Sequence, residues 1–188
     1  MQVSTLGAVA IVLQQLRTWP QAVRIIRRKD ASGVSVASWS LALVSCVTWL
    51  EYGIVFKDPV FIINNVFNLA GTVAILLALV RHAGASPALP LLVALGTTAV
   101  VWLMNVLGGR TAVGTAATLM GIAMFLPQVI KVFRSPTSGV SPVTWALVSL
   151  SSLSWLAYGL VMHQPAVWIS HLVILPCAVT VLGRLALK

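Results

Sequence analysis

The sequence predicts an all-α membrane protein: seven transmembrane helices forming two parallel triple-helix bundles joined by a linker helix. Three observations carry this. Of 188 residues, 59% are hydrophobic and 8% charged, and the mean hydropathy is +1.00. A water-soluble domain carries about 25% charged residues, so lipid rather than water must solvate most of this surface. The apolar stretches are continuous rather than alternating, and they reach the roughly 20 residues a helix needs to cross a bilayer, which favours helices over barrel strands. Finally, the chain repeats itself: 33–59 reads GVSVASWSLALVSCVTWLEYGIVFKDP and 139–165 reads GVSPVTWALVSLSSLSWLAYGLVMHQP, twelve of twenty-seven positions being identical at an offset of 106.

Charges, prolines and glycines cut the chain into seven runs, at 5–27, 34–56, 59–80, 89–107, 111–133, 140–162 and 165–185. The first contains Pro20-Gln21 and ends in the basic turn Arg27-Arg28-Lys29. It lacks a charged start and holds half of a repeated motif, so it reads as a helix of the protein rather than a cleaved signal peptide. The second closes on Lys57-Asp58, and Pro59 opens the third, a good first-turn residue. The fourth, LPLLVALGTTAVVWLMNVL, has no counterpart and ends at Gly108-Gly109-Arg110. The fifth carries Pro127-Gln128, the second Pro-Gln pair, and the sixth and seventh repeat the second and third. Three spans, one linker and three spans leave both copies in the same orientation, a parallel repeat about the membrane normal. The division is 1–82, first bundle; 83–109, linker helix; 110–188, second bundle.

Short loops rich in Lys and Arg face the cytoplasm. One side holds Arg24, Arg27, Arg28, Lys29, Arg81, Lys131, Arg134, Arg184 and Lys188, the other only Lys57 and Arg110. The N-terminus is therefore expected outside and the C-terminus in the cytoplasm, in a multi-pass protein of the cell (plasma) membrane. The net charge of +9 reads as topology and attraction to anionic headgroups. Nucleic acid is not an expected partner, because no basic patch interleaved with aromatics lies in a soluble segment. Cys46 and Cys177 fall inside helices as small hydrophobes. No Ser/His/Asp set, metal cluster or phosphate loop is present, so no enzyme activity, metal or cofactor is expected.

Helical geometry, at about 100° per residue, places Ser38, Ser45, Trp49 and Tyr52 within a sector of roughly 80° on the second helix. Thr144, Ser151, Trp155 and Tyr158 repeat that stripe on the sixth. Phe61, Asn64, Asn65 and Asn68 share a face of the third, and three amides facing lipid would be costly.

The duplicated Pro-Gln pairs, basic turns, Ser-Gly-Val-Ser segments and Trp-x-x-Tyr-Gly blocks resemble the PQ-loop superfamily, and most of all its SWEET and SemiSWEET sugar-transporter branch. The resemblance spans nearly the whole chain. It implies a transporter moving a small polar solute, a sugar first, by alternating access as facilitated diffusion, with the solute site between the repeats. It also implies a pocket of Ser45, Trp49 and Asn65 in the first copy and Ser151, Trp155 and His171 in the second, Asn68 extending the amide face. An indole offers an apolar platform for a sugar ring, and amides and hydroxyls meet its hydroxyl groups. Pro20, Gln21, Pro127 and Gln128 are the expected hinges and inner gate, since a mid-helix proline deletes a backbone hydrogen bond. Tyr52, Lys57, Asp58 and Tyr158 are the expected outer gate.

Departures from the family pattern keep alternatives open. His171 stands where the resemblance expects Asn and can bind a proton near neutral pH. Glu51, the transmembrane carboxylate, lies roughly 140° from the Trp49 stripe, has Ala157 as its counterpart, and is a second proton-site candidate, or a residue bonding Arg110 on the linker side. These support a proton-coupled amino-acid transporter resembling cystinosin. A ligand-binding receptor or scaffold resembling the KDEL receptor is the alternative from another class. The partners expected are a small-molecule solute and the lipid bilayer, and pairing into a homo-oligomer is compatible with the sequence.

Overall fold

The computed structural model of the chain describes residues 3–28, 36–134 and 142–186. The basic turns and Ser-Gly-Val-Ser segments lie largely outside these. The described residues form helices only: α1 (Val3–Arg28), α2 (Val36–Phe56), α3 (Pro59–Ala83), α4 (Ala88–Arg134), α5 (Pro142–Val161) and α6 (Pro165–Ala186).

At 47 residues, an unbroken α4 would reach roughly 70 Å, more than twice the hydrocarbon thickness of a bilayer. It is broken at Gly109, where φ is 59° and ψ is −153°. That region of backbone space is open essentially to glycine alone. The break yields α4a (88–108) and α4b (110–134), and hence seven helical segments among the described residues, close to the predicted runs.

Five helices, α2 to α6, are long and apolar enough to cross a membrane. Large apolar side chains cover their outer faces, most densely on α4a, where Leu91, Leu92, Leu95 and Trp102 are exposed and Leu107 is 78% exposed. A soluble monomer does not carry so broad an apolar surface, and this is a multi-pass membrane protein.

The two copies turn the same corner in the same way. Lys57 N–H donates to the Ile54 carbonyl at 3.1 Å and Asp58 N–H to that of Gly53 at 2.8 Å. In the second copy His163 N–H donates to Leu160 at 3.3 Å and Gln164 N–H to Gly159 at 2.8 Å. This is the Schellman pattern, with the residue after the cap left-handed. That residue is Lys57 (φ 56°) in one copy and His163 (φ 51°) in the other. Pro59 and Pro165 then start the next helix with φ already set. The Asp58 carboxylate accepts from the Val60 and Phe61 amides at 2.9 and 3.3 Å, capping α3. A side chain bearing Cβ is disfavoured in the left-handed region by roughly 1–2 kcal/mol. Because both residues are exposed, Lys57→Gly and His163→Gly should each stabilise the protein by about 0.5–1 kcal/mol, read as a higher melting temperature in detergent.

Two compact units are present, and each first helix of a copy is cut between them. One unit holds Thr18–Ala117, the other Met1–Arg17 with Thr118–Lys188. The cuts fall inside α1 and α4b, whereas the repeat boundaries 1–82, 83–109 and 110–188 follow the duplication. Within the first unit, Ala22, Ile25, Leu43, Val47, Ile75, Leu76, Ala78 and Leu79 form a buried core joining the end of α1 to α2 and α3. Within the second, Trp145, Val148, Ala178 and Val181 pack with Phe125, Val129, Leu182 and Leu185 to join α4b, α5 and α6. Ile75 and Val181 are repeat counterparts, and both are fully buried.

Candidate functional site

In the unit holding Thr18–Ala117, the predicted stripe on α2 and amide face on α3 are brought together. Trp49 is partly buried. Its indole stacks on Phe61 (centroids 5.4 Å apart, planes 20° apart) and meets Tyr52 edge-on at 5.3 Å and 69°. Tyr52 in turn stacks on Phe56 at 4.3 Å. Phe61, Asn64, Asn65 and Asn68 are all buried, as a face too polar for lipid must be. Asn65 Nδ2 donates to the Phe61 carbonyl one turn back at 2.9 Å, leaving its Oδ1 and second N–H for other partners. Asn68 Oδ1 accepts from Thr18 Oγ1 at 3.5 Å, which ties α3 to α1 and does not use the Asn68 amide hydrogens. Ser45 is partly buried on the same stripe.

In the other unit the matching stripe lies deeper. Trp155 is 3% exposed and Ser151 2%. Trp155 meets Tyr158 edge-on at 5.8 Å and 84°, the same motif geometry as Trp49 and Tyr52. Val167 occupies the position of Phe61, so the ring that stacks on Trp49 has an aliphatic counterpart here. His171 is partly buried on α6. Ser151 Oγ donates to Gln14 Oε1 at 3.2 Å, across 137 residues of chain. Gln14 is not among the residues that the sequence predicts for the site. Its signal was an amide in the apolar half of α1, on the same face as the small buried Gly7 and Ala10.

Tyr-Gly in each Trp-x-x-Tyr-Gly block positions these stripes. Tyr52 and Tyr158 are buried, and the glycine that follows lets the next helix approach. A Cβ on Gly53 would lie 3.0 Å from Ile62 N and from Phe61 Cβ; on Gly159 it would lie 2.8 Å from Trp168 N and 2.9 Å from Val167 Cβ. The motif therefore sets the distance between each tryptophan-bearing helix and its partner.

Residues 1–82 match the family MtN3_slv, described as "Sugar efflux transporter for intercellular exchange". A curated relative, the sugar transporter SemiSWEET of Escherichia coli (strain UMEA 3162-1), is 32% identical over 50 residues, 27% of this chain. The match spans 56% of that relative, little more than half its length. Among solved structures, a eukaryotic SWEET transporter at 3.7 Å superposes with a TM-score of 0.83 over 98% of this chain and 95% of its own, at 19% identity. The chain has the fold of that SWEET transporter.

On this SWEET fold the remaining expected site residues take the following places. Pro20 lies within α1, which continues through it to Arg28. The side chains of Gln21, Pro127 and Gln128 lie outside the described residues. At the corner between α2 and α3 Lys57 is exposed, while the Asp58 carboxylate is committed to the first turn of α3. Glu51 is partly buried. The expected Arg110 bond to Glu51 is replaced by another contact: the Arg110 guanidinium lies over the Phe56 ring, 5.5 Å from its centroid. A ring face attracts a guanidinium without the cost of desolvating a carboxylate.

Proposed function

We propose that the protein carries a small polar solute, a sugar first, across the plasma membrane by alternating access as facilitated diffusion. The observation that supports this best is the duplicated recognition set: a Trp-Tyr pair of the same edge-on geometry in each copy, with Ser45, Asn65 and Asn68 on one side of the duplication and Ser151 and His171 on the other. An aromatic platform beside uncharged hydroxyls and amides suits a neutral polyol. The matched relatives are sugar transporters by description, which points the same way.

The repeats 1–82 and 110–188 are the moving bundles in this reading, with 83–109 as the linker that keeps them parallel. Pro20 and Pro127 supply weak points in the first helix of each bundle, Gln21 and Gln128 close the inner mouth, and Tyr52 and Tyr158 narrow the outer one. Nine Lys and Arg residues against two in the short loops support a reading with the N-terminus outside and the C-terminus in the cytoplasm.

Counterflow in proteoliposomes, run for a panel of sugars and amino acids at two pH values, tests this. Exchange of a sugar at a rate unaffected by pH or an imposed proton gradient is expected. Gradient-driven accumulation lost in His171→Ala or Glu51→Ala would replace facilitated diffusion with proton coupling. Saturable binding without flux would replace transport with a receptor role.

A further inference from the structure

We infer that Gln14, held in place by Ser151, is the residue through which the second repeat meets the solute. The inference rests on the sugar-transport reading and assigns a specificity-determining residue within it.

Ser151 is 2% exposed, and its single proton is already donated to Gln14 Oε1 at 3.2 Å, so it has no hydrogen left to give a ligand. A serine hydroxyl has only that one proton to give. Gln14, by contrast, is partly buried and keeps both Nε2 hydrogens for other partners. The hydrogen bond fixes the otherwise rotatable carboxamide, so its N–H groups are aimed before the solute arrives. A prealigned donor saves the cost of ordering a long side chain on binding.

The two copies are unequal in this respect. Aligned on the Pro-Gln pairs, the residue of the second copy's first helix corresponding to Gln14 is Gly121. One repeat therefore offers an aimed amide donor from its partner stripe, and the duplication does not supply its equivalent. A solute with distinguishable hydroxyls is bound in one orientation, with one hydroxyl oxygen accepting from Gln14 Nε2. Ser151 is then a positioning residue, and the contact carried to it by family resemblance passes to Gln14.

The test measures KM and Vmax for a transported sugar and its series of monodeoxy analogues in proteoliposomes. One analogue should have about tenfold higher KM than the parent in the wild type, the size of one lost hydrogen bond. In Gln14→Met the parent's KM should rise by about the same factor to meet that analogue's, with Vmax nearly unchanged, and the other analogues should keep their ratios. Ser151→Ala should shift KM in the same direction by about threefold, and the double variant should match Gln14→Met alone, because both act through one group. An unchanged parent KM in both single variants, or an equal rise for the parent and every analogue, overturns the inference. A wild type that exchanges amino acids and no sugar overturns the sugar reading instead.

Discussion

On the proposed transport function, Trp155→Ala should unfold the protein more readily while Trp49→Ala should mainly stop transport, although the two residues are exact counterparts in the duplication. Trp155 is almost fully enclosed, and removing a buried tryptophan costs about 3–5 kcal/mol through lost transfer energy and the cavity left behind. Its expected signature is a large fall in melting temperature in detergent, with transport lost alongside the fold. Trp49 is partly buried, with one face stacked on Phe61, so its truncation sacrifices less packing and, on the proposed transport reading, removes the ring that meets the solute. Transport should fall by more than about tenfold, equivalent to 1.4 kcal/mol, with a melting temperature closer to the wild type. Trp49→Phe should retain more transport than Trp49→Ala. Trp102→Ala, on the outward face of α4a, should leave transport unchanged. Equal loss of stability in Trp49→Ala and Trp155→Ala would contradict the unequal burial of the two stripes.

A single methyl at Gly159 is the second large effect. The added Cβ would meet Trp168 N at 2.8 Å, Val167 Cβ at 2.9 Å and Val167 Cγ1 at 3.0 Å. Two of these belong to the backbone or the root of a β-branched side chain, so neither can swing aside. Relief requires α5 and α6 to separate, and overpacking of this kind costs typically about 1–3 kcal/mol. Gly53→Ala meets its neighbours at 3.0 to 3.1 Å and should cost less than Gly159→Ala. Gly96→Ala in α4a, with nothing within 4 Å, should instead stabilise by up to about 1 kcal/mol through helix propensity. Melting temperatures in one detergent decide the ranking; Gly159→Ala equal to or above Gly96→Ala would mean that the corner does not need its glycine.

The helices and corners were legible in the sequence because lipid imposes the same local rule everywhere: each span must be a continuous apolar helix that satisfies its own backbone. Pro59 and Pro165 marked helix starts, Gly108-Gly109 marked the break in α4, and the spacing of Phe61, Asn64, Asn65 and Asn68 named a face that is indeed buried. The tyrosine-glycine pairs were visible as a motif, but their purpose emerged only from the distances to the following helix.

Tertiary structure alone decided what stands opposite each of those faces. Periodicity gives Ser45 and Ser151 equal weight, yet one is partly buried and the other enclosed and bonded to Gln14. Arg110 chose the Phe56 ring over Glu51, and α1 divides at Arg17 between two compact units. The reason is physical. Helical spacing and hydropathy depend on neighbours three or four residues away, whereas a polar group in lipid is settled by whichever partner the fold brings within 3 to 4 Å, here from as far as 137 residues along the chain.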